Sequence, residues 1–325
     1  MKKYSFIAIS ILFFTIPLFA CNKNNTDNDD VKIGISIYND QDIFISDIIG
    51  TLTNFINTDT NISTSISSAN NNQYTQNDDI DKFIEDGIDI ICINIVDRRS
   101  SANIINKAKK SNIPIIFFNR EPVYEDMLLW DKTYYVGAAA KESGTMQSNI
   151  IGELWSNNIE SIDTNKDSIL QYVLLEGELG HQDAIIRSKY CIKDLDTYYI
   201  KSEKIESVVC DWNFKKAYEE VLRLINTYDN IEVIFSNNDT MALGAIEAFK
   251  EEDIDIPVII GVDGISNAIT SIENRELYGT IINDSSKHSK EIYNLIIMLI
   301  KNKDLNLESN YIWISQESIT QNDFN

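Results

Sequence analysis

An α/β protein of two doubly wound, parallel-sheet lobes is the fold this sequence predicts, on three observations. Short runs rich in isoleucine and valine alternate with amphipathic stretches along the chain, the pattern of parallel sheets with helices on both faces. The runs are nearly continuous in apolar residues, as strands buried on both sides require. Setting aside a leader and a polar tether leaves roughly 295 residues, which suits two domains better than one.

The elements follow in order. Lys32–Tyr38 reads as the first strand, and Ile45, Ile48, Ile49, Leu52, Phe55 and Ile56 then recur at helical spacing. Ile88–Val96 is the next apolar strand, followed by a helix at 100–112 and a strand at Pro114–Phe118. Further strands fall at Tyr134–Gly137, Ile169–Glu176, Val233–Ser236, Val258–Val262 and Thr280–Ile282. Helices are expected near 141–157, 183–195, 213–228, 239–251, 266–275 and 287–302.

The N-terminus, MKKYSFIAISILFFTIPLFAC, has a charged start at Lys2 and Lys3, an apolar stretch from Tyr4 to Ala20, and a cysteine at position 21. It is short, interrupted by Pro17 and closed by a small residue, so it reads as a secretory signal rather than a membrane span. Leu18-Phe19-Ala20-Cys21 resembles a lipobox, which would place a lipid anchor on Cys21 and the protein on the outer side of a membrane or in the periplasm. Phe19 is bulkier than that motif usually carries, which leaves ordinary signal-peptidase cleavage as the alternative. The run Asn22–Asp30 has no apolar residue and reads as a flexible tether.

Composition excludes some functions. A net charge of −22 repels phosphate backbones and argues against nucleic-acid binding. Cys92, Cys191 and Cys210 are scattered without CxxC spacing, which suggests neither a zinc site nor a disulfide framework.

In open α/β sheets, ligands sit beyond the carboxyl ends of the strands. The residues found there are Asp42 and Phe44, Asn94 and Asp97, His181 and Asp183, Asn237, Asn238 and Asp239, Asp263, and Asn283 and Asp284. Each alone has a plain reading as a helix cap, which is how Asp40 and Asp239 are read here. Their convergence on six strand ends is the signal. In "GELGHQDAIIRS" Asp183 and Arg187 lie four apart on one helical face, so the carboxylate can hold the guanidinium as a fixed planar donor. Catalysis would need a nucleophile beside His181; Ser188 lies seven residues along the helix, so this cluster reads as binding. His288, among lysines in "KHSKEIYN", is read as solvated surface.

Seven blocks carry a family resemblance in one order: "KIGISIYNDQDIFI", the stretch from "INIVD" through "IPIIFFNREP", "YYVGAAAKESG", "LLEGELGHQDAIIRS", "VIFSNNDTMALGAIEAFK", "GVDGISNA" and "GTIINDS". They resemble the periplasmic galactose- and glucose-binding proteins, from about Val31 to Asn283. The resemblance implies the type I periplasmic binding protein fold, two lobes joined by a three-strand hinge that close over a sugar. Crossings near Pro114, Ser285 and Ser315 would give 1–20 as signal, 21–30 as tether, 31–113 plus 286–314 as the first lobe, and 114–285 plus 315–325 as the second. It implies that Phe44 and Trp212 sandwich a sugar ring, and that Asp42, Asn94, His181, Asp183, Arg187, Asn238, Asp263 and Asn283 bond its hydroxyls. Asp42 would read the C4 hydroxyl and accept from either epimer, so both glucose and galactose would bind. The partners implied are a membrane ABC permease and a chemoreceptor; a monomer is expected. Ala138-Ala139-Ala140 departs from the more polar stretch of the family at this block.

Asp163, Asn165, Asp167, Ile169 (through its carbonyl) and Gln171 stand at positions 1, 3, 5, 7 and 9 of a calcium-type loop. Leu174 replaces the acid at position 12, and the resemblance supplies Glu232 instead. Ser168 replaces the glycine usual at position 6. A structural Ca²⁺ in the second lobe is the cofactor expected. Two other classes are weaker. A sugar-responsive transcription regulator of this fold is opposed by the leader, the acidity and the lack of a helix-turn-helix head. A glycoside hydrolase needs a carboxylate pair across a scissile bond, where this chain offers closely spaced binding carboxylates.

Overall fold

The computed structural model describes residues 30–59, 61–301 and 309–324; the leader, Cys21 and all of the tether but Asp30 lie outside them. The chain opens with β1 (Val31–Ile37), α1 (Ile43–Ile56), β2 (Ile62–Ser68), α2 (Gln73–Glu85), β3 (Ile90–Ile93), α3 (Ser101–Ser111), β4 (Ile115–Phe118), the short α4 (Tyr124–Met127) and β5 (Thr133–Ala138). It continues through α5 (Ala140–Asn158), β6 (Leu170–Glu176), α6 (Gln182–Lys193), β7 (Ser202–Val209), α7 (Phe214–Ile225), β8 (Val233–Ser236), α8 (Asp239–Glu251), β9 (Val258–Asp263), α9 (Ser266–Glu273) and β10 (Gly279–Ile282). It ends with α10 (Ser285–Ile300), β11 (Tyr311–Ile314) and β12 (Glu317–Thr320).

Two six-stranded sheets result, ordered β11-β5-β4-β3-β1-β2 and β12-β10-β9-β8-β6-β7. All pairings are parallel except β10 with the edge strand β12. Burial on both faces is visible residue by residue. Ile116 and Phe118 enter the core shared with α1 and α10, while Ile115 and Phe117 enter the one shared with α2 and α3. In the second sheet Ile234 faces α7 and α8, and Val233 and Phe235 face α5 and α6. Each such side chain is worth ~1.5–3 kcal/mol of burial, so a four-residue strand with no polar face is held firmly between its neighbours.

The first lobe crossing is not near Pro114. Ile115–Phe118 registers with β3 on one side and β5 on the other, and β5 pairs in turn with β11. The first lobe therefore keeps the chain to Ala138, and the crossing falls at Ala139, between β5 and α5. Asn112, left-handed at φ 56°, ends α3, and Pro114 only starts the next strand. A proline marks a turn, whereas the lobe change is set by which neighbours a doubly buried strand can find. The other crossings lie between β10 and α10 and between β11 and β12.

His288, expected on the surface, is completely buried. The helix period carries Lys287 and Lys290 outward while His288, Ser289, Ile292, Leu295 and Ile296 turn inward against α1. Its Nε2–H donates to Asn283 Oδ1 at 2.7 Å, and its ring meets Phe44 edge-on at 5.6 Å between centroids. Burial lowers its pKa to about 4. The unfolded chain then binds this proton more readily between pH 6.5 and 4, so the stability is present above pH 6.5 and is lost as pH falls toward 4. His288→Gln is expected to remove a pH-dependent loss of about 3 kcal/mol. Thermal unfolding of both proteins at pH 7 and 4.5 measures it, and equal losses in the two would refute it.

Candidate functional site

The carboxyl ends of β1 and β4 in the first sheet face those of β6, β8 and β9 in the second. Between them lies a cavity lined by Tyr38, Asp42, Phe44, Asn119 and Arg120 from the first lobe. His181, Asp183, Arg187, Trp212, Asn238 and Asp263 line it from the second. Its free volume is about 30 Å³, room for about two water molecules and far below the roughly 300 Å³ at which small-molecule pockets begin. The lobes are shut tightly on one another, so a larger occupant requires them to part.

The first-lobe wall grows from the turn after β1. Asp42 caps α1, accepting the Ile45 N–H at 3.1 Å, and its other oxygen takes the Tyr38 hydroxyl. That cap fixes the helix start and so points Phe44, two residues on, at the cleft. Arg120 follows β4 and stacks its guanidinium over the Tyr38 ring at 3.5 Å. Burial and the Asp42 charge push the Tyr38 hydroxyl far above its usual range, so it stays a neutral donor.

The second-lobe wall starts at α6. His181 caps that helix through Nδ1, which accepts the Asp183 N–H at 3.1 Å. Nδ1 as acceptor puts the proton of the neutral ring on Nε2. Burial, then the charges of Arg120, Arg187 and Arg98, hold the imidazole well below its usual pKa. One turn on, Arg187 lies 3.8 Å from Asp183 and donates to the Asn237 carbonyl at 2.8 Å. Trp212 stands on a left-handed pair, Asp211 at φ 49° and itself at 59°. Its ring lies on the backbone of Gly177, where any Cβ would approach to 2.2 Å, and meets His181 edge-on at 5.1 Å. Asn238 caps α8 by accepting the Met241 N–H at 3.0 Å. Burial pushes the carboxyls of Asp183 and Asp263 up, with Arg187 opposing in both. The Nε of Arg187 and the Nε1 of Trp212 are buried with no partner in the protein. Such donors are costly unless something meets them.

Eight of the ten residues singled out from sequence line this cavity, and Asn94 and Asn283 do not. Asn94 is fully buried behind it, donating to the Phe118 carbonyl and to Asn119 Oδ1, both at 3.1 Å. Asn283 bonds His288 and Asp263. Asp239 is no helix cap either: it sits within α8, fully buried, accepting from the N–H groups of Gly264 and Ile265 and the Thr280 hydroxyl. Tyr38, Asn119 and Arg120 were missed. The strand-end rule covers all three, since Tyr38 directly follows β1 and Asn119 and Arg120 follow β4.

This inventory suits a neutral polyhydroxylated ring. Aromatic side chains from both lobes line the cavity, together with carboxylates, two amides, two guanidiniums and a neutral imidazole. Charge-assisted hydrogen bonds of this kind are worth ~1.5–3 kcal/mol each. The Ser188 hydroxyl is paired with Asn237, whose amide donates to it at 3.0 Å.

The loop before β6 is wound tightly on its own acids. Asp163 accepts the N–H groups of Asp167 and Ser168 at 3.1 and 3.0 Å, and Asp167 accepts that of Ile169 at 2.8 Å. Glu232, nearly buried, accepts the N–H groups of Thr164 and Gln171 at 2.8 and 3.0 Å. Lys166 and Ser168 take the left-handed angles, φ 63° and 62°. Among the described residues no group of three or more His, Cys, Asp or Glu is disposed to hold a metal. The donor set is instead mixed, with the amides of Asn165 and Gln171 both turned onto Asp167 at 3.0 and 2.9 Å. Oxygen-only donors in a loop of this winding fit a hard cation, provided both amides rotate their oxygens inward.

Comparison with known proteins accords with this geometry. The chain is 37% identical over 305 residues to the D-galactose/methyl-galactoside binding periplasmic protein MglB of Haemophilus influenzae, covering 93% of this chain and 90% of that one. It is 24% identical to a D-xylose-binding periplasmic protein of the same organism, covering 91% and 85%. Its fold matches an ABC transporter solute binding protein from Bacillus halodurans with bound myo-inositol, at a TM-score of 0.78, 22% identity, and coverage of 92% and 97%. A family model for periplasmic binding protein domains matches residues 33–304. The chain belongs to the periplasmic binding protein family.

Proposed function

We propose that this protein is a secreted, non-enzymatic receptor that captures glucose or galactose by lobe closure and delivers the sugar to a membrane ABC permease. One observation carries the reading. Phe44 and Trp212, from opposite lobes, line a single cavity ringed by Asp42, Asp183, Arg187, Asn238 and Asp263. The relative with 37% identity is named for galactose and methyl-galactoside, which supports a hexose over a pentose. Lipidation of Cys21 would hold the receptor at the membrane surface, and a chemoreceptor would be a second reader of the closed form. Signal removal leaves the strongly acidic chain outside the cytoplasm.

The test is a tryptophan-fluorescence titration with glucose, galactose, ribose and xylose. Both hexoses are expected to bind at micromolar levels or tighter. Trp212→Ala should weaken them by at least ~30-fold, the cost of losing a central anchor of about 2 kcal/mol. Ribose or xylose binding most tightly would move the assignment to a pentose receptor, and steady turnover of nitrophenyl hexosides would overturn the non-enzymatic reading. Affinity should also fall in mild acid. Asp183 and Asp263 have raised pKa values, so they take up protons above the ordinary carboxylate range, and a protonated carboxyl accepts more weakly.

We propose, in addition, that Asp163, Asn165, Asp167, Gln171, Glu232 and the Ile169 carbonyl hold a structural Ca²⁺ that stiffens the second lobe. Calcium at a hundred times its dissociation constant would add ~2.7 kcal/mol to unfolding. The melting temperature should therefore rise with Ca²⁺, fall with chelator, and respond to neither in Asp163→Asn. A wild-type melt indifferent to calcium would end the proposal.

A further inference from the structure

Polar contacts at the edge of the cavity join the two lobes across the cleft. Arg120, nearly buried on the first lobe, is fixed at three points: its guanidinium covers the Tyr38 ring, its Nη1 donates to the Val96 carbonyl at 3.0 Å, and its Nη2 reaches Glu178 at 2.8 Å. Glu178 follows β6 and belongs to the second lobe. The next residue, Glu121, accepts a hydrogen bond from Gln182 at the start of α6, again across the cleft. Glu121, Glu178 and Gln182 do not line the ligand cavity; they line a separate opening of about 430 Å³ at its mouth, where Arg120 and His181 are shared.

Geometry and burial give this pair weight. In the closed form Arg120 is 5% exposed and Glu178 about one-third exposed, so parting the lobes gives up a largely buried, charge-assisted hydrogen bond. A charge held so, with its guanidinium stacked on an aromatic ring, is pre-organised and loses little entropy on pairing. Charge pairs at an interface rim mainly govern association, whereas buried hydrogen-bonded ones govern dissociation; Arg120 places this pair in the second class.

We propose that Arg120–Glu178, backed by Glu121–Gln182, is a cross-cleft latch that populates the closed form without sugar and slows sugar release. Arg120 is in this view a positioning residue. It keeps Tyr38 on Asp42 and draws His181 and Asp183 toward the first lobe, acting on the ligand through them. The inference rests on the receptor reading for its second half only, because closure of the sugar-free protein does not depend on which ligand binds.

Two variants outside the cavity test it: Glu178→Gln, and Glu178→Gln with Gln182→Ala. Small-angle scattering of the sugar-free protein should show a larger radius of gyration in both than in the wild type. Stopped-flow release of galactose should accelerate roughly 5–50-fold, and association should be no slower than in the wild type, because the shut cleft has to part before sugar enters. Arg120→Gln combined with Glu178→Gln should release galactose no faster than Arg120→Gln alone. Unchanged scattering in the double variant, or a wild type already fully open without sugar, overturns the latch. If no hexose binds at all, the scattering comparison still decides the latch, and only the receptor reading fails.

Discussion

The guanidinium of Arg187 is buried at the centre of the cleft, and its charge opposes the cost of burying Asp183, Asp239 and Asp263. Burial raises all three carboxyls, lifting even Asp239, with its three hydrogen bonds, to about 6. Removing one partner of such a cluster typically costs 3–5 kcal/mol, because an uncompensated charge stays behind. Burial first, then the charges of Arg120 and Arg187, hold the imidazole of His181 well below its usual pKa. Three buried carboxyls are thus eased by one guanidinium.

That arrangement is possible only because each lobe is complete without it. Four hydrophobic clusters, one on each face of each sheet, hold the two lobes as separate solids. Polar strand ends are left to meet across a seam. The crossing after β10 runs through this seam. Asn283 joins Asp263 to His288, and His288 in turn abuts Phe44, so one aromatic wall of the cavity is braced from the hinge.

Much of the fold was legible in the sequence, and the misses share a cause. β3, β4, β6, β8 and β9 announce themselves because both faces are apolar. The edge strands β2 and β7 were overlooked, since "ISTSISS" and "SEKIESVV" expose one side and carry little hydrophobic signal. Helix α2, with Gln73, Asn77 and a run of aspartates, buries only Gln76, Ile80 and Phe83, too narrow a stripe to stand out. In the site, Asp42, His181 and Asn238 were readable as strand-end residues. Asn94 was readable in the same way but turned out to serve Phe118 and Asn119, because an amide at a strand end can bond its neighbours as well as a ligand.

By itself the sequence determined the alternation of elements, the two sheets that follow from it, and the set of residue types at the strand ends, because hydrophobic period and burial are local properties of a strand or helix. Only the tertiary structure decided which strand joins which lobe, that His288 is interior, and that Arg120 spans the cleft to Glu178. Those outcomes depend on which surfaces remain to be covered once the neighbours are in place, and no local pattern encodes them. A helix period places His288 on a face, but α1 packing there is what removes it from water.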